Sequence, residues 1–539
     1  MKKIIFLLLL NLLLFSCARV GAPNGGTRDS LAPKFLGSNI DTTRLNVSRT
    51  VKELRLDFDE YVMLKDFNKN FNVSPPIKKI KKVIPSNLAN KYVLIQWEDT
   101  LQANTTYNFN FGNAIVDNNE SNPLPYFNFA FSTGDKIDDL FVSGTVKDAM
   151  TLIKENQTAK DNKMVVGLYK AGENLDYKQK PDYITKVDEE NYFELNFLPK
   201  GEFVIIAFDD ENQNSVYDAG KEKVSFLKEK ITLDSTSVRG LKLKLYPSKK
   251  VVKYKESNAI NGGLLMTFEG NPETVDVKSL SEDLKDFKVT HAKRSDSVNI
   301  WFDAEKSNLG GTVSKQVKLS YFTPTISDTI SVSYKAVKDE FKLSNEAGNL
   351  IAPENNFVIN TSLPIENLNT SSWKLESDSI AQDFTAKISE KNPFKILVNS
   401  SFKPTKKYVL TIPKETVSSY YSSNDKSFQF QFEIDKPENY GSFTAVIKNK
   451  PTAKFWVELT NEKGEILYSQ FTNASEISFK NLKPATYIAR IRVDNNGNGF
   501  WDEADFAQNI AAEDVYIFEK EINVRPLWEI KEDWELTNH

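Results

Sequence analysis

Hydrophobic residues recur at every second position over long stretches of this chain. Residues 91–98 (KYVLIQWE), 106–113 (TYNFNFGN) and 126–133 (YFNFAFST) alternate apolar and polar side chains, with Phe127, Phe129 and Phe131 on one face. A period of two is the signature of strands buried on one side, so each run predicts a β-strand packed against a second sheet. Patterns with the helical period are scarce, which predicts an all-β protein.

The alternation repeats with its register intact. A shift of 301 residues places Val93, Ile95 and Trp97 on Phe394, Ile396 and Val398, and Tyr107 on Tyr408. The same shift places Phe127, Phe129 and Phe131 on Phe428, Phe430 and Phe432. A slip of one residue would turn each side chain to the opposite face, so the shared register predicts one sandwich built twice. A second duplication, at a shift of 284, aligns residues 197–220 (FLPKGEFVIIAFDDENQNSVYDAG) with 481–504 (NLKPATYIARIRVDNNGNGFWDEA). In both copies a Pro-containing turn leads into an alternating strand that runs into an acidic loop.

The first residues follow another rule. Lys2 and Lys3 precede an apolar run, Ile4 to Phe15, interrupted only by Asn11, and Ser16 and Cys17 follow. Twelve helical residues reach only about 18 Å, short of a membrane core of roughly 30 Å, so the run reads as a secretory signal. Cys17 is the only cysteine among 539 residues and sits where that run ends. Residues 14–17 (LFSC) resemble a bacterial lipobox, which implies cleavage before Cys17 and acyl chains, palmitate among them, on the new terminus; Phe15 departs from the small residue usual there. The Gly- and Pro-rich residues that follow predict a flexible tether reaching about 20–25 Å. Ala18 after the cysteine points to the outer membrane, and the first acid, Asp29, is too distant to form a surface-export cluster, so a periplasm-facing body is expected. The formal charge of −4 becomes −6 without Lys2 and Lys3. That balance argues against nucleic acid as a partner, because phosphate contacts need a basic surface.

Residues 54–62 (LRLDFDEYV), 71–77 (FNVSPPI), 101–122 (LQANTTYNFNFGNAIVDNNESN) and 127–135 (FNFAFSTGD) resemble the SbsA-type bacterial Ig-like domain of bacteroidete-type envelope lipoproteins. The two loop-bearing units resemble prealbumin-like or Cna-B-like sandwiches. The expected order is a signal peptide (1–16), a lipidated tether (17–34), an Ig-like domain (35–135), a prealbumin/Cna-B-like sandwich (138–247), a β-sandwich of undefined type (250–348), a second Ig-like domain (350–436) and a second prealbumin/Cna-B-like sandwich (438–528). The resemblance implies spacing, display and binding, with no catalytic residues to carry over.

The acidic loops hold the candidate chemistry. Counted from Asp494, the residues Asp494, Asn496, Asn498, Phe500, Asp502 and Asp505 occupy positions 1, 3, 5, 7, 9 and 12, with Gly499 at position 6. This is the ligand order of an EF-hand-type calcium loop, Phe500 contributing a backbone carbonyl, although Asp stands for the bidentate Glu and the flanks are strands. The first loop keeps Asp210, Asn212, Asn214 and Asp218 but has Lys221 at position 12, a cation that would repel the ion. Asn, Asp and Gly also crowd hairpin tips for backbone reasons, so both loops have a second reading as plain connections.

Enzymatic machinery is thin. His291 and His539 are the only histidines, which removes Cys/His zinc sites and leaves no evident triad. Asp57 and Asp59 share a strand face expected to meet solvent. Seven tripeptides of the order Asp, Ser or Thr, then an apolar residue or Thr resemble acceptors of a periplasmic O-glycosylation system, at Ser30, Thr42, Thr100, Ser235, Ser297, Thr329 and Ser379. The expected function is a non-catalytic, outer-membrane-anchored scaffold or binding protein whose partners are envelope proteins, an accessory to outer-membrane protein assembly or transport with structural calcium in its acidic loops; the alternative is a surface adhesin or glycan-binding protein.

Overall fold

A computed structural model describes residues 29–152, 163–172, 176–337, 340–346 and 348–536. Residues 1–28, with Cys17 and the apolar run expected to be a signal peptide, lie outside them, as does His539. The protein is all-β. Among the described residues the helical elements are one turn at Phe67–Asn70 and 3-10 turns at Thr370–Ser372, Pro437–Asn439 and Phe506–Gln508. No described helix is long and apolar enough to cross a membrane.

Five hydrophobic cores follow one another along the chain. The first packs Leu54, Leu56, Val93, Ile95 and Trp97 of one sheet against Phe109, Phe111, Phe129 and Phe131 of another. These are the alternating apolar positions; the intervening residues point to the opposite face of each sheet, half-buried in Tyr92, Leu94 and Gln96 but buried in Ala130 and Ser132. The third core joins a four-stranded and a three-stranded sheet through Leu264, Met266, Ile300, Val317 and Leu319.

The duplications hold at the level of hydrogen bonding. Tyr107 pairs with Phe131 in the first body, and Tyr408 pairs with Phe432 in the fourth. In both, the tyrosine hydroxyl accepts a backbone N–H five residues upstream at 2.8 Å, from Gln102 and from Lys403. The second and fifth bodies share one eight-stranded topology. In each, the last strand runs parallel to the first: Val238–Leu245 beside Leu140–Asp148, and Glu529–Glu535 beside Gly441–Lys448.

Two boundaries differ from those expected. Phe341 and Leu343 pack in the fourth core, because the strand Leu343–Asn345 pairs with Phe357–Thr361. The fifth body extends past 528, since Trp534 and Leu536 of its closing strand complete its core. A parallel partner for the first strand must return from far along the chain, and period-two patterning carries no information about pairing.

The bodies also touch out of sequence. A sixth cluster lies on the outer face of the second body, where Val165, Tyr169, Ile206, Phe208 and Tyr217 pack around Ala504 and Phe506 of the fifth. The chain therefore turns back on itself. The backbone seals that contact, with Lys249 N–H donating to Ala504 O at 2.8 Å and Ala504 N–H donating to Pro247 O at 3.1 Å.

Candidate functional site

The strand Ala485–Val493 runs directly into Asp494, and the chain returns as Val515–Ile517 in antiparallel register. The loop is thus the long connection of a strand pair. Asp494 is buried; its Oδ1 accepts the Asn498 N–H and its Oδ2 the Gly499 N–H, each at 3.0 Å. Gly499 takes φ +83°, a left-handed turn that glycine adopts without a Cβ penalty. Asn496 Oδ1 accepts the Asn498 N–H at 3.0 Å and Asn498 Oδ1 the Phe500 N–H at 2.8 Å. The two amide nitrogens donate to Asp502 Oδ2, at 2.5 Å from Asn496 and 2.8 Å from Asn498.

The 210 loop repeats this bonding. Asp210 accepts the N–H groups of Asn214 and Ser215 at 3.0 Å, and Asn212 Nδ2 donates to Asp218 Oδ2 at 2.6 Å. The two loops, in two bodies, thus share one hydrogen-bonding pattern.

Each loop contains a glutamate that counting from the first Asp does not find. Glu513 accepts the Asn496 N–H at 3.1 Å through Oε1 and the Asp502 N–H at 2.9 Å through Oε2. Glu222 accepts the Glu211 N–H at 3.2 Å and the Asp218 N–H at 2.8 Å in the same two-oxygen manner. Both glutamates stand two residues before the next strand, Val515–Ile517 and Val224–Phe226. Counting back from that strand would have aligned them. An insertion in the 494 loop, including the turn Phe506–Gln508, hides the match when counting forward.

Two expected assignments are corrected. Asp505 does not complete the loop; its Oδ1 accepts the Gln508 N–H at 3.2 Å and caps the Phe506–Gln508 turn. In the first loop Glu222, not Lys221, closes the turn by accepting the Glu211 and Asp218 N–H groups. Among the described residues no three His, Cys, Asp or Glu side chains are gathered as a metal centre. The remaining donors in both loops are amide and backbone oxygens.

Burial governs the electrostatics. Desolvation pushes the Glu222 carboxyl up to about 7, with Asp210 and Asp218 adding to the rise. Desolvation also raises Glu513. For Asp502 burial acts in the same direction, but hydrogen bonds from Asn496, Arg294 and Asn498 outweigh it and hold the carboxyl below its ordinary range.

The loops are not free tips. Arg294 of the third body donates to Asp502 Oδ1 at 2.7 Å and lies 4.7 Å above the Phe500 ring, with Lys293 at 5.1 Å. Phe506 inserts among Tyr177, Phe226 and Tyr217 of the second body, ring centroids 4.4, 5.1 and 5.8 Å away. Tyr217 belongs to the 210 loop, so the two acidic loops meet at the junction of three bodies.

The other candidates are held structurally. Asp59 Oδ1 accepts the Lys34 N–H at 2.8 Å, and Asp57 pairs with Arg55 at 2.8 Å. His291 Nε2 lies 3.1 Å from the Ser295 carbonyl oxygen. Ser30, Thr42, Thr100, Ser235, Thr329 and Ser379 are exposed, whereas Ser297 is half-buried at the start of the strand Ser297–Trp301.

The sequence signature of a bacterial Ig-like domain matches residues 29–133. No curated protein matches the chain. Similar solved structures include domains 1–6 of the surface layer protein SbsC, at 11% identity, covering 92% of this chain and 67% of that one with a TM-score of 0.16. The Bacteroides ovatus protein SGBP-B, solved with a mixed-linkage heptasaccharide, is 9% identical over 72% of this chain and 96% of its own, with a TM-score of 0.21. BcpA, the major pilin subunit of Bacillus cereus, is 12% identical over 74% and 99%, with a TM-score of 0.13. These are distant likenesses and carry no functional information.

Proposed function

We propose that this protein is a non-catalytic scaffold or binding protein of the bacterial cell envelope, anchored in the outer membrane through acyl chains on Cys17 and facing the periplasm. The SbsA-type character of its Ig-like domains and the prealbumin/Cna-B-like character of its loop-bearing bodies belong to this reading. The observation that carries it is the closure of the chain. Phe506 and Asp502 of the fifth body engage the second and third, so the sandwiches form a fixed platform rather than a string of independent beads. A fixed surface binds a partner without the ordering cost that a flexible chain would bear.

Within this reading the acidic loops are structural calcium sites. Asp494, Asn496, Asn498, Asp502 and Glu513 supply hard oxygen donors, as do Asp210, Asn212, Asn214, Asp218 and Glu222, and the Phe500 carbonyl adds a backbone oxygen. A bound ion would stiffen the junction at which the two loops meet.

Cell fractionation and recovery from detergent-solubilised membranes test the reading. The wild-type chain is expected in the outer membrane together with an envelope protein, Cys17→Ser is expected to be released, and Phe506→Ala is expected to lose the partner. Cys17→Ser retained in the membrane, or a wild-type chain recovered alone, would overturn it. Glycan binding is the second reading, favoured by a cleft between the first two bodies that is lined by Asn72, Asn108, Asn110 and Asn128 with Tyr126 and Tyr192 exposed beside them.

A further inference from the structure

The outer face of the first Ig-like sandwich carries residues that a sheet does not ordinarily select. Asn72, Asn110 and Asn128 stand side by side across three neighbouring strands, with Asn72 opposite Asn110 and Asn110 opposite Asn128. Asn108 lies in the adjoining row opposite Ser74. Asparagine is depleted in strands because its amide competes with the ladder and packs poorly, so four on one small face need a reason.

Packing of the sandwich does not supply that reason. The duplicated fourth body keeps the pairing register but has Val409, Thr411 and Gln429 where the first has Asn108, Asn110 and Asn128. The fold uses only part of the amide chemistry: Asn110 Oδ1 accepts the Gly112 N–H at 2.8 Å and Asn128 Nδ2 donates to the Tyr126 carbonyl at 2.9 Å, but two acceptors are left over. Asn108 is 8% exposed, and its Oδ1, like that of Asn128, is buried and accepts no hydrogen bond. A buried acceptor without a donor is a cost that a folded protein ordinarily avoids, and here two occur on one face.

Asn72, Asn108, Asn110 and Asn128 are all lining residues of a cleft of about 940 Å³ between the first and second bodies. The second body forms the other wall and is fixed by Ile184 N–H donating to Ser74 Oγ at 3.1 Å. Tyr126 and Tyr192 stand at the cleft, one from each body, and are 69% and 40% exposed. Tyr126 takes φ +52°, a left-handed backbone rare for a bulky residue. Its N–H donates to Asn113 Oδ1 at 3.1 Å, and its carbonyl accepts from Asn128 Nδ2 at 2.9 Å. The amide row thus fixes the residue that presents the ring.

We propose that this cleft binds a neutral oligosaccharide. An amide offers a donor and an acceptor side by side, which matches a pair of neighbouring sugar hydroxyls. Amides on adjacent strands repeat at about 4.8 Å, so one row meets successive hydroxyl groups of an extended chain. The exposed tyrosines supply flat apolar surfaces for the C–H face of a sugar ring. Charge argues against an anionic ligand, because three lysines face five carboxylates around the cleft. This site deepens the binding-protein reading given above and rests on it.

Isothermal calorimetry on the full chain tests the proposal with cellohexaose, maltohexaose and mannohexaose, and with hexagalacturonate as the acidic control. At least one neutral hexasaccharide is expected to bind. Combining Asn108→Leu with Asn128→Leu should weaken that binding about tenfold or more, as should Tyr126→Ala, while Gln429→Leu in the fourth body leaves it unchanged. Asn108→Leu alone should melt no lower than the wild type, since it removes an unpartnered acceptor. Binding of none of the neutral sugars, preference for hexagalacturonate, or affinity unaffected by the leucines overturns the proposal. A lower melting temperature of Asn108→Leu also overturns it, because that amide would then be holding the free protein together. Membrane fractionation and partner recovery use no added saccharide, so the envelope reading and this site can fail separately.

Discussion

Phe506→Ala should open the junction without unfolding any sandwich. The side chain is 5% exposed and its contacts are aromatic rings of another body, so its deletion acts between bodies. Removing a buried Phe costs about 3–5 kcal/mol, and an interface that can partly close lies near the lower end, roughly 3 kcal/mol. At about 1.4 kcal/mol per factor of ten, the open arrangement gains about a hundredfold in population. Two backbone amides report it directly: Lys249 N–H and Ala504 N–H both bond across the junction. Their hydrogen exchange should accelerate by about two orders of magnitude, while Ile491, paired with Val457 inside the fifth body, exchanges as before. Ile510→Ala, at a side chain 50% exposed, is the control and should change neither. Exchange at Lys249 and Ala504 within about threefold of wild type would refute the reasoning. So would an equal rise at Ile491, since Phe506 would then belong to the core of its own sandwich.

Three further outcomes are expected. With calcium held at about 2 mM and a dissociation constant of roughly 0.1–1 mM, mass action adds about 0.7–1.8 kcal/mol to the fifth body and raises its melting by several degrees; Asp494→Ala and Glu513→Gln should abolish the increment, Asp505→Ala should not, and identical melting with calcium and chelator would dismiss the site. In chelator, Glu222 makes stability depend on pH: its folded value of about 7 exceeds the ordinary 4.5, so the folded state holds a proton that the unfolded state has lost, and stability falls as pH rises from about 4.5 to 7 and levels above; Glu222→Gln should flatten that slope in denaturant titrations. Glu458 is fully buried and its two oxygens accept from Arg490 and Arg492, so Glu458→Ala leaves a buried guanidinium unpaired and should cost the fifth body about 3–5 kcal/mol, whereas Glu458→Met with Arg490→Leu should recover most of it in thermal melts.

The sequence by itself determined what lies on each face of each strand. Side chains alternate with a fixed period of two, so Val93, Ile95, Trp97, Phe129 and Phe131 had to turn inward together, and a shift of 301 residues had to reproduce the same pairing of tyrosine and phenylalanine. The internal bonds of the acidic loops were equally legible, because Asp494, Asn496 and Asn498 accept from N–H groups only two to five residues away. Tertiary structure decided everything that depends on distant chain. It set Glu513 and Glu222 in place across each loop, and it closed the fifth sandwich with the parallel strand Glu529–Glu535. It also brought Arg294, Phe506 and Tyr217 to one junction and walled the asparagine row with a second body. Local periodicity follows from the geometry of one strand. Which strands and bodies meet depends on contacts between residues hundreds of positions apart, and no local pattern encodes them.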